Sequence, residues 1–141
     1  MKRLVLLLLA VLFFAGCGVH SDPNALTVQF LCDSEEVYRI DYIAYVDGEY
    51  LCMGGLDDYG HDTLKGKRGL FQLFSEQDLK RWGKDGREYT DFALELHLYN
   101  RDGEKEIGKT DRVEMPAQIG ASHTVRVTGD SKNGFQAEIM V

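Results

Sequence analysis

Residues 37–53 read VYRIDYIAYVDGEYLCM, and this stretch decides the fold class. Val37 to Val46 is rich in β-branched and aromatic side chains, which suit a pleated, half-buried surface. Asp47-Gly48 follows, the pair favoured in a two-residue type I′ turn because both of its central residues need positive φ. Glu49 to Met53 is the returning strand. A turn at 47–48 predicts Tyr45 opposite Tyr50 and Ile43 opposite Cys52, with Ala44 and Leu51 on the other side. Both faces carry apolar residues, so the hairpin belongs inside a larger β structure.

Working outward, Leu26, Val28, Phe30 and Cys32 alternate with Thr27, Gln29 and Leu31. Phe92, Leu94, Leu96 and Leu98 alternate with Ala93, Glu95, His97 and Tyr99 as a clear one-face strand. A turn at Asp102-Gly103 predicts Leu98 opposite Ile107. In the last hairpin, a three-residue loop Lys132-Asn133-Gly134 with Gly134 left-handed pairs Val127 with Ile139 and Val125 with Val141. That register keeps the apolar set together, whereas a two-residue Asn133-Gly134 loop would set Val127 against Met140. Gly69–Phe74 and Val113–Met115 complete the strand set, the latter ending at Pro116. One short helix is predicted near 75–82, with Ser75 as N-cap, Asp78 three residues on, Leu79 and Trp82 on one side, and Gly83 past the last turn. Seven or eight short strands joined by hairpins predict an all-β antiparallel sandwich over 25–141, immunoglobulin-like or transthyretin-like. No internal repeat is present.

The 141 residues are 44% hydrophobic and 28% charged, the balance of a folding chain and not of a disordered one. The net charge of −7 argues against a basic nucleic-acid face, so no nucleic-acid partner is expected. At the N-terminus, Met1-Lys2-Arg3 precedes an unbroken apolar run from Leu4 to Ala15. That run is too short for a spanning helix, which needs about 18 or more apolar residues, and matches the apolar core of a secretory signal.

The run closes on Phe14-Ala15-Gly16-Cys17-Gly18, which resembles the lipobox of bacterial lipoprotein precursors. The resemblance covers this segment alone. It implies cleavage of 1–16, lipidation of Cys17, and a tether over 17–24 joining the lipid to the sandwich. Phe14 stands where the family most often has Leu. Two or three acyl chains anchor stably where one binds only marginally. Gly18 carries no inner-membrane retention signal of the kind that Asp after the cysteine gives in Gram-negative lipoproteins. The expected address is therefore the cell envelope: the outer membrane, periplasmic side, in a Gram-negative source, or the outer face of the cell membrane in a Gram-positive one. Gly18 to Asn24 spans at most about 25 Å, so the folded body sits close to its membrane.

An exported domain makes a Cys32–Cys52 disulfide the expected pairing, and such a bridge would turn the Ile43, Tyr45, Cys52 face toward Cys32. The stretch 54–69, GGLDDYGHDTLKGKRG, reads as a long irregular loop. Its Asp57, Asp58, His61 and Asp62 offer oxygen and imidazole donors to a cation, although not in calcium-loop order. Its Lys65, Lys67 and Arg68 suit anionic headgroups. Tyr38, Tyr42, Tyr45, Tyr50 and Tyr59 form a binding candidate, since tyrosine joins a large apolar body to a polar tip. Alternation puts Tyr38 with Tyr42 on one side and Tyr45 with Tyr50 on the other.

No nucleophile–base signature, phosphate-cradling loop or zinc spacing appears, and His97 beside Glu95 is ordinary outer-face patterning. The expectation is a non-enzymatic envelope lipoprotein without a cofactor, held to the membrane by its lipid and mediating protein interaction or envelope assembly with an envelope protein partner. Small β-sandwich lipoproteins that dock secretion machinery share this build. Alternatives are an inhibitor of a hydrolase such as lysozyme, or a module binding a small ligand or carbohydrate through exposed tyrosines.

Overall fold

The computed structural model describes residues 21–59, 61–82 and 90–141. The expected leader 1–16, Cys17 and the start of the expected tether lie outside them, as does Gly83. Nine strands and one short helix are described: β1 (Ala25–Cys32), β2 (Arg39–Val46), β3 (Glu49–Asp57), β4 (Phe71–Ser75), α1 (Glu76–Trp82), β5 (Asp91–Tyr99), β6 (Glu106–Lys109), β7 (Val113–Pro116), β8 (Ser122–Asp130) and β9 (Gly134–Ile139). They form an all-β sandwich. One sheet runs β4-β1-β8-β9, the other β3-β2-β5-β6 with β7 also paired to β5.

The sandwich is not wholly antiparallel. β1 and β8 pair in parallel, from Thr27 opposite Ser122 to Cys32 opposite Val127. Reading hairpins from sequence sees only neighbours, and a parallel pair needs a crossover, which here is the entire second sheet. An immunoglobulin-like order keeps its first two strands in one sheet. β1 and β2 lie in different sheets, so the immunoglobulin-like order does not hold.

Alternate residues of each strand fill the core. Leu26, Val28, Phe30, Val125 and Val127 from one sheet meet Ile40, Ala44, Phe92, Leu94, Leu96 and Leu98 from the other, all 1% exposed or less. A chain of rings crosses between them. Phe30 stacks on Tyr42 at 6.5 Å, Tyr42 meets Phe74 edge-on at 5.8 Å, and Phe74 meets Phe92 at 4.7 Å. The predicted helix forms with its cap: the Ser75 Oγ accepts the Asp78 N–H at 3.1 Å, and the Asp78 carboxylate accepts the Ser75 N–H at 3.1 Å. Leu79 is its buried residue.

Three predicted registers shift. Asp47 and Gly48 take φ of 48° and 81°, and Tyr45 faces Tyr50 as expected. A bulge beside Ala44 and Tyr45 then puts Cys52 opposite Ala44 and Met53 opposite Ile43, not Cys52 opposite Ile43. Its cause lies in the core. Without the bulge Met53 would face Tyr42; with it Gly54 does, and a β-carbon there would stand 2.3 Å from the Tyr42 hydroxyl. Gly54 and Gly55 are thus strand residues, and β3 runs to Asp57 where sequence suggested irregular loop. A second bulge sets Leu98 opposite Gly108, leaving Ile107 as the extra residue. In the last hairpin Gly134 has φ of 95°, but the loop is residues 131–133, pairing Val127 with Ala137 and Val125 with Ile139. The Asp130 carboxylate fixes it there by accepting the N–H groups of Lys132 at 2.9 Å and Asn133 at 2.7 Å. A two-residue shift preserves side-chain parity, so the apolar face survives.

The strands define two poles. Ala25 pairs with Ser75, Gly120 donates its N–H to the Ala25 carbonyl and Ala117 to that of Thr90, so the chain entry, α1 and the start of β5 share the proximal pole. Gly66 N–H reaches the Cys32 carbonyl and Leu64 N–H that of Val37, gathering residues 33–38 and 63–66 at the distal pole. Eight strand residues separate the poles by about 26 Å.

Candidate functional site

The distal pole holds a cleft of about 150 Å³ lined by Tyr38, Arg39, Asp57, Asp58, His61 and the turn Asn100–Gly103. Three elements build it: the start of β2, the end of β3 with the residues after it, and the β5–β6 connection. Arg39 is fixed by Asp41, to which its Nε donates at 2.7 Å and its Nη2 at 2.6 Å, and its guanidinium lies 5.1 Å from the centre of the Tyr99 ring. The fork-on-carboxylate geometry pushes the Arg39 pKa up and keeps the group charged. The Asn100–Gly103 turn closes by the Gly103 N–H donating to the Asn100 carbonyl at 2.9 Å and the Asn100 N–H to that of Lys105 at 3.1 Å. The Tyr38 N–H donates to the Tyr99 carbonyl at 3.0 Å, tying the first side of the cleft to the third.

The expected metal donors do not assemble. Among the described residues no group of three or more His, Cys, Asp or Glu is placed to hold a metal. Lys67 Nζ stands 3.3 Å from Asp58 and 3.5 Å from Asp62, so the chain's own ammonium occupies the place a cation would take. Those carboxylates in turn raise the Lys67 pKa. Asp57 and His61 join Asp58 along the cleft, while Asp62 sits with Lys67. Lys65, Lys67 and Arg68, expected to suit headgroups, follow on from these acids. The segment lies at the pole away from Ala25, and Lys65 pairs with Glu35 at 2.6 Å.

The Cys32–Cys52 bridge is absent; both are free thiols. Cys32 ends β1 at the distal pole. Cys52 lies within electrostatic reach of Asp78 in α1, at the proximal side, and a disulfide needs its Cα atoms within about 7 Å. Burial pushes both thiol pKa values up, so neither is an activated nucleophile.

The tyrosines part company. Tyr42 is 4% exposed, a core ring whose pKa burial pushes up to about 12. Tyr45 lies on the outer face under the Arg112 guanidinium, 3.6 Å from the ring centre. Tyr50 is 54% and Tyr59 95% exposed, and Tyr38 lines the cleft. On that outer face His97 stands between Glu95, at 2.9 Å, and Glu106, at 3.2 Å, a cross-strand cluster of charge.

Sequence reasoning missed Arg39, Asn100, Arg101, Asp102 and Gly103 as site residues. Asp102-Gly103 read only as a hairpin turn; the available signal was that the same register sets Arg39 opposite both Asp57 and Tyr99, gathering polar groups at one pole. Comparison with protein-family models, curated proteins and solved structures returns no match.

Proposed function

We propose that this chain is a non-enzymatic, lipid-anchored envelope protein that presents its distal pole as an interaction surface. The observation that carries the reading is the placement of the cleft. β1 starts at Ala25, eight residues after Cys17, so a lipid on that cysteine attaches through the proximal pole, and the cleft with its charged loops lies at the opposite end of the body. The apolar leader and the lipobox-like Cys17 support the anchor.

Metabolic labelling with a palmitate analogue, comparing the natural chain with Cys17→Ser, tests the anchor. The natural chain is expected to take up label and sediment with membranes, and Cys17→Ser to do neither. Equal labelling of both, or membrane release of both, would overturn the reading. The interaction surface is tested by photo-crosslinking from positions 102 and 118, one at each pole. Adducts are expected from the distal position, and adducts from the proximal one alone would count against it.

A further inference from the structure

We propose that the distal cleft binds one neutral pyranose unit, such as the terminal sugar of a glycan chain. This deepens the reading of the distal pole as the interaction surface, while the binding itself does not depend on the lipid. The argument is one of chemistry and size. Arg39 and Arg101 supply planar donors; Asp57 and Asp102 supply carboxylate acceptors; Tyr38 and Asn100 add groups that both donate and accept. Arg39 is already oriented by Asp41 and the Tyr99 ring, so it meets a ligand without first losing side-chain freedom.

Charge of both signs within one small cleft discriminates among ligands. A simple anion gains from Arg39 and Arg101 but meets Asp57 and Asp102, and a simple cation meets the reverse, so neither finds a field of one sign. Neighbouring hydroxyls on a sugar ring each donate to a carboxylate and accept from a guanidinium, so they satisfy both sets at once. The volume of about 150 Å³ suits one six-membered ring and falls below the roughly 300–1,000 Å³ of sites for drug-sized ligands. A separate observation points the same way. Tyr38 lines the cleft, setting an aromatic ring beside these polar groups for the apolar C–H face of a sugar to cover.

The test is saturation-transfer NMR on the full chain as purified from expressing cells, in a detergent without a sugar headgroup. The probes are the methyl pyranosides of glucose, galactose, mannose and N-acetylglucosamine, with inorganic phosphate and calcium titrated separately. At least one pyranoside is expected to saturate at millimolar concentration and to be weakened about tenfold by Asp102→Ala and by Arg101→Ala. Both are exposed positions whose replacement leaves the core untouched. The proposal is overturned if no pyranoside saturates, if phosphate or calcium competes the signal away, or if both variants bind as the natural chain does. None of these outcomes alters palmitate labelling of Cys17, so the two readings fail separately.

Discussion

The proximal pole is closed by buried apolar residues and short backbone bonds: Leu79 is fully buried, Ala117 is 9% exposed, and Asp47 Oδ1 accepts the N–H groups of Thr90 and Asp91, each at 2.9 Å. The distal pole buries Val37 and Leu64 and adds a rim of charge. There Lys65 meets Glu35 and Lys67 meets Asp58 and Asp62, while Arg126 Nε donates to Asp33 at 2.6 Å and the Ser131 N–H to Glu36 at 2.8 Å. Exposed ion pairs contribute little to stability, whereas burial of apolar area dominates it. The contrast teaches that buried apolar side chains seal both ends, while the charged rim added at the distal end is the part free to serve recognition.

Replacing core residues should test that division most severely. Phe74→Ala removes the ring linking Tyr42 to Phe92 and is expected to cost about 3–5 kcal/mol by urea unfolding. A cost near zero would mean that the ring chain is not what holds the sheets together. Gly54→Ala forces the Tyr42 ring aside and should cost about 1–3 kcal/mol, with a lowered melting temperature.

High pH probes the same ring. The Tyr42 hydroxyl has its pKa pushed up to about 12 in the fold, against about 10 in an unfolded chain. Below about pH 10 both states are neutral and the contribution is intact; as pH rises from about 10 toward 12 only the unfolded chain ionises, so stability falls, by an amount on the order of 1–3 kcal/mol. Urea titrations across that interval should show the loss, and Tyr42→Phe should flatten it. The smallest effects sharpen the polar contrast. Ser75→Ala, which breaks the proximal helix cap, should cost about 1 kcal/mol. Asp102→Ala at the distal cleft should leave the urea midpoint unchanged, and a marked drop would show that the distal pole is structural after all.

Much of the fold was legible because it is local. Alternation in Leu26–Cys32 and Phe92–Leu98 marks the buried faces, Asp47-Gly48 marks a turn, and Ser75 with Asp78 marks a helix start; each depends only on residues a few positions apart. The bulge at Ala44 was not legible, since its reason is the Tyr42 ring lying over Gly54, a contact that exists only once both sheets are assembled. The cysteine pairing failed for the same reason. Twenty residues of spacing permit a bridge, but the path of β1 sends Cys32 to the pole opposite Cys52.

The candidate site was half legible. Asp57, Asp58, His61 and Tyr38 were singled out, yet as parts of separate ideas: a cation loop and a tyrosine cluster. Lys67 between Asp58 and Asp62 dissolves the first, and burial of Tyr42 dissolves the second.

By itself the sequence determined the strand periodicity, the turn chemistry and the apolar run Leu4–Ala15 ahead of Cys17, because each is a matter of side-chain spacing and backbone preference within a short window. The tertiary structure alone decided the parallel pairing of β1 with β8, the free thiols, and the meeting of Arg39, Asp57 and Arg101 in one cleft. Those depend on which strands become neighbours, which is set by how both sheets bury their faces together.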